Sequence, residues 1–201
     1  MKFIGITGGV GAGKSAILDY LRKKDRTRVM LADEIAHKLM EPGTACFQRL
    51  EQKFKDADIF RPEGGFDREK VATFIFGEEE KRLAFNGIVH PAVKEYVIEQ
   101  YEKEKKAGNL EFLFLEAALL IEEHYDAICD ELWYIYTNED NRRERLIASR
   151  GYSNEKIDGI FKSQLSEETY RSKCKIVIDN NGTVEQSYEQ IEKYLRRTRD
   201  E

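Results

Sequence analysis

Residues 8–15 read Gly8-Gly9-Val10-Gly11-Ala12-Gly13-Lys14-Ser15 and fit G-x-x-x-x-G-K-[ST], the pattern of a phosphate-binding loop. A short apolar run, Phe3-Ile4-Gly5-Ile6, precedes them, and residues 15–24 read as helix. A polyphosphate needs many donors at close range and little steric bulk. Glycines let the backbone curl so that successive N–H groups point inward as an anion-binding nest. The following helix adds its unpaired N-terminal N–H groups and the positive end of its dipole. Lys14 then reaches the β- and γ-phosphates, and the Ser15 hydroxyl ligates Mg²⁺. Gly9, Val10, Gly11, Ala12, Gly13, Lys14, Ser15 and Ala16 are therefore the expected nucleotide contacts, with Ser15 also the metal ligand.

Composition narrows the class. At 201 residues the chain fits one domain with room for an insertion and a substantial core. A net charge of −5 speaks against nucleic-acid binding by bulk electrostatics. Charged residues make up 35%, but their signs are interspersed and 41% of residues are hydrophobic, which excludes global disorder. Cys46, Cys129 and Cys174 form neither a C-x-x-C pair nor a disulfide framework and suit a reducing compartment. No apolar run approaches ~18 residues, so no transmembrane span is expected. The N-terminal apolar run is too short for a signal peptide. A cytoplasmic protein with no nucleic-acid or membrane partner is expected, as a monomer or weak homo-oligomer.

No internal repeat or low-complexity linker interrupts the chain. Apolar strand candidates at residues 2–7, 28–31, 111–115, 131–137 and 175–178 alternate with helical patterns, which predicts a parallel α/β sheet. Residues 110–115 are nearly all apolar, as a central strand covered on both faces should be. Residues 33–109 read mainly as helix. Asp33 is placed to cap residues 34–40, which Pro42-Gly43 stops. Asp67 is placed to cap 68–76, and Pro91 suits the first turn of a helix reaching about Lys106. So large a crossover is a candidate insertion for a second substrate.

After Thr137, Asn138 caps a helix to about Arg150, Gly151-Tyr152-Ser153 breaks it, and a second helix runs from Asn154 to about Leu165. These carry Arg142, Arg143, Arg145 and Arg150, which form either a solvated face or a lid that closes on phosphate. Thr183-x-x-Gln186 is a capping box for a final amphipathic helix covering the sheet.

A phosphate loop alone does not separate a kinase, a GTPase and a motor ATPase. Asp179-Asn180-Asn181-Gly182 fits D-x-x-G by letter but lies near the C-terminus, and no N-K-x-D occurs. A small-molecule kinase is preferred over a nucleotide-dependent switch.

Further motifs agree in order and spacing. They are Ala32-Asp33-Glu34-Ile35-Ala36-His37, Glu41-Pro42-Gly43, Phe66-Asp67-Arg68, His90-Pro91, residues 116–122, Gln164, Arg171 and Val177-Ile178-Asp179-Asn180. With the loop, they make the chain similar to the dephospho-CoA kinase family over nearly its whole length. The resemblance implies an α/β P-loop NTPase fold: a parallel five-stranded sheet flanked by helices, with a helical substrate-binding insertion and a helical lid. The nucleotide-binding core would comprise residues 1–32, 110–137 and 172–201, the acceptor part 33–109, and the lid 138–171. It implies ATP and dephospho-CoA as substrates, Mg²⁺ as cofactor, and transfer of the γ-phosphoryl group to the ribose 3′-hydroxyl. Another small P-loop kinase, acting on a nucleoside monophosphate or small metabolite, is the alternative.

On the same resemblance, Asp33 is the base or hydroxyl-orienting group, a role compatible with a helix cap. It follows the second strand at the carboxyl end, where parallel α/β proteins place ligands. Lys14 neutralises phosphate charge, and Arg145 approaches from the lid, with Arg142 or Arg150 as alternates. Arg171 matches a position near nucleotide phosphates. Asn180 matches one close to the adenine, or serves as a strand-end cap. Arg68, His90, Glu116 and Glu122 are acceptor-side candidates; Glu116 suits a metal-bound water, a hydrogen bond or a structural ion pair. His37 and His124 are expected to face solvent. Leu31, Ala16 and Ala118 depart from the commonest family pattern, which has an Asp, a Thr and a Pro there.

Overall fold

Five apolar runs become strands β1 (Lys2–Thr7), β2 (Thr27–Leu31), β3 (Phe112–Glu116), β4 (Glu131–Tyr136) and β5 (Ile176–Asp179) in a computed structural model that describes residues 1–200. They form one sheet in the order β2-β3-β1-β4-β5, parallel throughout and flanked by helices. The helices are α1 (Lys14–Arg22), α2 (Ala32–Leu39), α3 (Ala45–Lys53), α4 (Arg68–Gly77), α5 (Glu79–Ala107), α6 (Glu139–Arg150), α7 (Asn154–Ser163), α8 (Glu167–Lys173) and α9 (Val184–Asp200). The chain divides into a sheet unit, Met1–Met30 with the segment from Ala107 onward, and a helical unit, Leu31–Lys106.

In the sheet unit β1 is central, paired in register with β3 (Phe3 opposite Leu113) and β4 (Ile6 opposite Trp133). A strand covered on both faces has no polar side to offer, and Phe3, Ile4, Ile6 and Phe112 to Leu115 are all buried. Helix α9 packs on β5 and α1. Its Ile191 and Leu195 are buried, and Thr183 and Gln186 close the expected capping box. At the amino ends of the strands, Glu131 is buried and paired with Lys2 and Lys175 at 3.3 and 3.0 Å.

The helical unit is cored by aromatic rings. Phe66 lies 5.1 Å from both Phe47 and Phe60, and Phe54 and Phe85 are 5.9 Å apart. Asp67 caps α4 as expected, accepting from the Glu69 and Lys70 amides.

Other expectations need correction. Asp33 is not a cap: α2 starts directly at the strand end, with Leu31 in the cap position and Asp33 inside the first turn. Pro91 does not open its helix but lies well inside the 29-residue α5, which begins at Glu79. The ring leaves the Gly87 carbonyl without its helical donor. Asn138 caps α6 as read, but α7 ends at Ser163, and a separate α8 with Ser166 as its cap follows.

Candidate active site

The phosphate loop leaves the carboxyl end of β1 and enters α1. Gly13 caps α1 in the left-handed region at φ 84°, and a Cβ there would fall 2.5 Å from Asn180 Nδ2. Both conformation and space therefore demand glycine. No side chain caps α1, and its first turn carries no acid, which leaves its N-terminal amides without a local side-chain acceptor. Lys14 Nζ donates to the Gly8 carbonyl at 2.7 Å and lies 3.7 Å from Glu116 Oε1, at the end of β3. Both side chains are mostly covered. Glu116 is thus an ion-pair partner of the loop lysine. Ser15 and Ala16 are exposed.

Two of the arginines expected on the lid, Arg142 and Arg145, engage the loop itself. Arg142 Nε donates to the Val10 carbonyl at 2.9 Å, another of its guanidinium nitrogens donates to Gln164, and the group sits 4.2 Å over the Phe161 ring. Burial pulls its pKa below the usual arginine value, against the opposing influence of Tyr134 and Glu139. Arg145 donates to the Asn180 carbonyl at 2.8 Å and to the Ala12 carbonyl at 3.4 Å. Asn180, one residue past β5, donates to Ala12 at 2.7 Å and accepts from Ser187.

Sequence reasoning passed over Thr137. This buried residue, just past β4, donates towards the Ala12 carbonyl at 3.0 Å. Its place at the carboxyl end of a central strand was the available signal.

Three predicted residues lie outside this cluster of contacts. Arg150 is exposed, 5.8 Å over the Tyr152 ring. Arg171 pairs with Glu167 at 2.7 Å and lies over Tyr136. Glu122 is exposed, close enough to Tyr170 to help burial raise that phenol's pKa.

In the helical unit, Asp33 is exposed in the first turn of α2, and His90 is half-buried within α5. Arg68 lines a cavity of about 420 Å³ with Arg61, His37, Met40, Phe66 and Val71. Neither arginine's guanidinium has a hydrogen-bond or ion-pair partner among the described residues. His37 is exposed as expected, yet it borders this cavity; His124 is exposed too.

The family model described as dephospho-CoA kinase matches residues 2–186. The chain belongs to the dephospho-CoA kinase family. A dephospho-CoA kinase of Symbiobacterium thermophilum is 32% identical over 192 residues, 96% of this chain and 79% of that one. The crystal structure of TT1252 from Thermus thermophilus superposes with a TM-score of 0.78 at 26% identity, covering 98% of this chain and 97% of its own. A dephospho-CoA kinase from Campylobacter jejuni, at 20% identity and a TM-score of 0.72, covers 98% and 96% and shares the fold.

Within the dephospho-CoA kinase family, the acceptor is an alcohol and the donor a nucleoside triphosphate. The covered Lys14, the open α1 N-terminus and the glycine-lined loop have the chemistry to bind such a donor.

Proposed function

We propose that this chain transfers the γ-phosphoryl group of ATP to the 3′-hydroxyl of the ribose in dephospho-CoA, giving coenzyme A and ADP. Family membership over nearly the whole chain carries the reading, and the phosphate loop with Lys14 supports it. Nothing observed favours a nucleoside monophosphate or another metabolite as acceptor.

The Gly9–Ala16 segment and the α1 amides hold the β- and γ-phosphates, and Lys14 exchanges its contact with the Gly8 carbonyl for phosphate oxygens. Asp33 accepts the hydrogen bond of the acceptor hydroxyl. The O3′–Pγ bond forms as the bridging oxygen–Pγ bond breaks, the hydroxyl proton passes to Asp33, and ADP leaves. Positioning and charge neutralisation matter more than base strength in so dissociative a transfer. The exposed Asp33 carboxylate, two residues past β2, supports this role.

Mg²⁺ binds through one or two protein oxygens, substrate phosphates and water. The exposed Ser15 hydroxyl and the Glu116 carboxylate suit that donor set, and the bound ion would neutralise charge on the phosphates. Arg61 and Arg68, beside the apolar Met40, Phe66 and Val71, suit the diphosphate and the pantetheine arm of the acceptor. Residues 33–109 then serve the acceptor, and residues 138–171 the lid. Three free thiols, Cys46 and Cys174 buried among them, support a reducing cytoplasm as the setting. The expected state is a monomer or weak homo-oligomer.

The purified chain, given ATP, Mg²⁺ and dephospho-CoA, is expected to release ADP and coenzyme A in equal amounts, followed by a coupled assay and mass spectrometry. Turnover of a nucleoside monophosphate with none of dephospho-CoA would overturn the assignment.

A further inference from the structure

Two alternate carbonyls of the phosphate loop are gripped by side chains outside it. The Val10 oxygen accepts from Arg142 at 2.9 Å. The Ala12 oxygen accepts from Asn180 at 2.7 Å and lies 3.0 Å from the Thr137 hydroxyl, which also lies 3.2 Å from the Asn180 carbonyl, and 3.4 Å from Arg145, which also donates to that hydroxyl at 3.3 Å. A carbonyl oxygen has two lone pairs, so two donors fill it, and a third neighbour exceeds that capacity. They come from three places in the fold: the ends of β4 and β5, and α6. Thr137 and Asn180 are only 2% and 6% exposed, so their own geometry is fixed by packing.

A trans peptide is planar, with its C=O and N–H directed to opposite sides. Drawing the Val10 and Ala12 oxygens towards these donors therefore turns the Gly11 and Gly13 N–H groups the other way. A Cβ at Gly9 would fall 2.4 Å from the Arg142 guanidinium carbon, and one at Gly13 would meet Asn180. The Arg142 guanidinium and the Asn180 amide thus lie directly against the loop backbone.

We propose that Arg142, Arg145, Thr137 and Asn180 are positioning residues that splint the phosphate loop, fixing the peptide planes whose amides receive the nucleotide before it arrives. The two arginines of α6 thus act on ATP through the loop backbone. This rests on the loop binding a nucleotide but not on the identity of the acceptor.

The experiment measures amide hydrogen exchange of residues 8–15 without ligand, then ADP affinity by calorimetry, in Thr137→Val, Thr137→Ser and Arg145→Gln. Loss of one or two hydrogen bonds should quicken loop exchange and weaken ADP binding, each about tenfold, in Thr137→Val and Arg145→Gln. Exchange in β1 and β5 should stay at the parent rate, and Thr137→Ser should restore both loop readouts. An arginine that served only the phosphates would give weaker ADP binding in Arg145→Gln with parent-like exchange of the empty loop. That result overturns the splint, as does parent-like ADP affinity in a folded Thr137→Val. Should Thr137→Val fail to fold, the half-exposed Arg145→Gln decides alone. Failure of the parent protein to bind ADP would instead overturn nucleotide binding itself.

Discussion

Around the phosphate loop the cationic side chains are already engaged by the protein, whereas around the cavity of the helical unit two arginines are not. Arg142 is half-buried, and an unpartnered charge there would be costly, so Val10 and Gln164 accept its protons. Arg61 and Arg68 are exposed, and water solvates them at little cost. The first arrangement gives its cations partners within the protein; the second leaves its cations for a ligand to order. Preorganised donors are worth most where charge develops during reaction, and adaptable ones suffice for the part of a substrate that only binds. The contrast sets cations held by the protein around the phosphate loop against cations left open at the helical unit's cavity.

The most severe way to break this contrast is Lys14→Ala, expected to lower kcat/KM about 10³-fold, as loss of a charge-stabilising donor does. Steady-state kinetics with ATP check it. Asp33→Asn should lower kcat about 10²-fold while calorimetric ADP affinity stays at the parent value. Parent-like turnover would remove Asp33 from the mechanism. Arg61→Ala and Arg68→Ala sharpen the other side of the comparison. Each should raise KM for dephospho-CoA about tenfold, the scale of one charge-assisted contact, and leave KM for ATP unchanged. A rise in the ATP constant instead would contradict the division of labour.

Smaller effects test the internal pairing of the sheet unit. Burial pushes the Glu131 carboxyl up, but hydrogen bonds from Trp133, Lys175 and Lys2 outweigh it and hold the pKa below its ordinary value. Its stabilisation is therefore complete above the unfolded pKa of about 4.3 and is lost as pH falls through the lower folded value. Glu131→Gln should cost about 2–3 kcal/mol at pH 7, somewhat less than breaking a fully buried pair. Thermal melts should show a Tm lowered by about 4–10 °C at pH 7, with the gap closing in acid. The gentlest test is alkylation. Burial pushes the Cys129 and Cys174 thiols up to about 12, with Asp130 and Asp126 adding to the shift at Cys129. Both should resist iodoacetamide at pH 8 in the folded protein and react after denaturation, as mass spectrometry reads out.

Much of this was legible because the deciding signals are local. The glycine pattern set the loop, the apolar runs set the strands, and Asp67, Asn138 and Thr183 with Gln186 marked helix starts through their own side-chain caps. Asp33 misled because it has the chemistry of a cap while Leu31 extends the strand to the helix. Pro91 misled because α5 is long enough to absorb a missing donor. Ser166-Glu167-Glu168 carries a start signal for α8 that went unread. The grip of Thr137 and Arg145 on Ala12 was out of reach in a different sense. Those partners are far apart in sequence, and only the folded sheet unit brings them together.

The strand order has a consequence for how the protein is made. β1 is translated before its neighbours: Leu113 and Trp133, opposite its Phe3 and Ile6, follow roughly a hundred residues later. During that interval the apolar residues of β1 have no neighbouring strand to pair with. Asn180, which donates to the Ala12 carbonyl, emerges later still, so the phosphate loop completes its contacts only once β5 has been made.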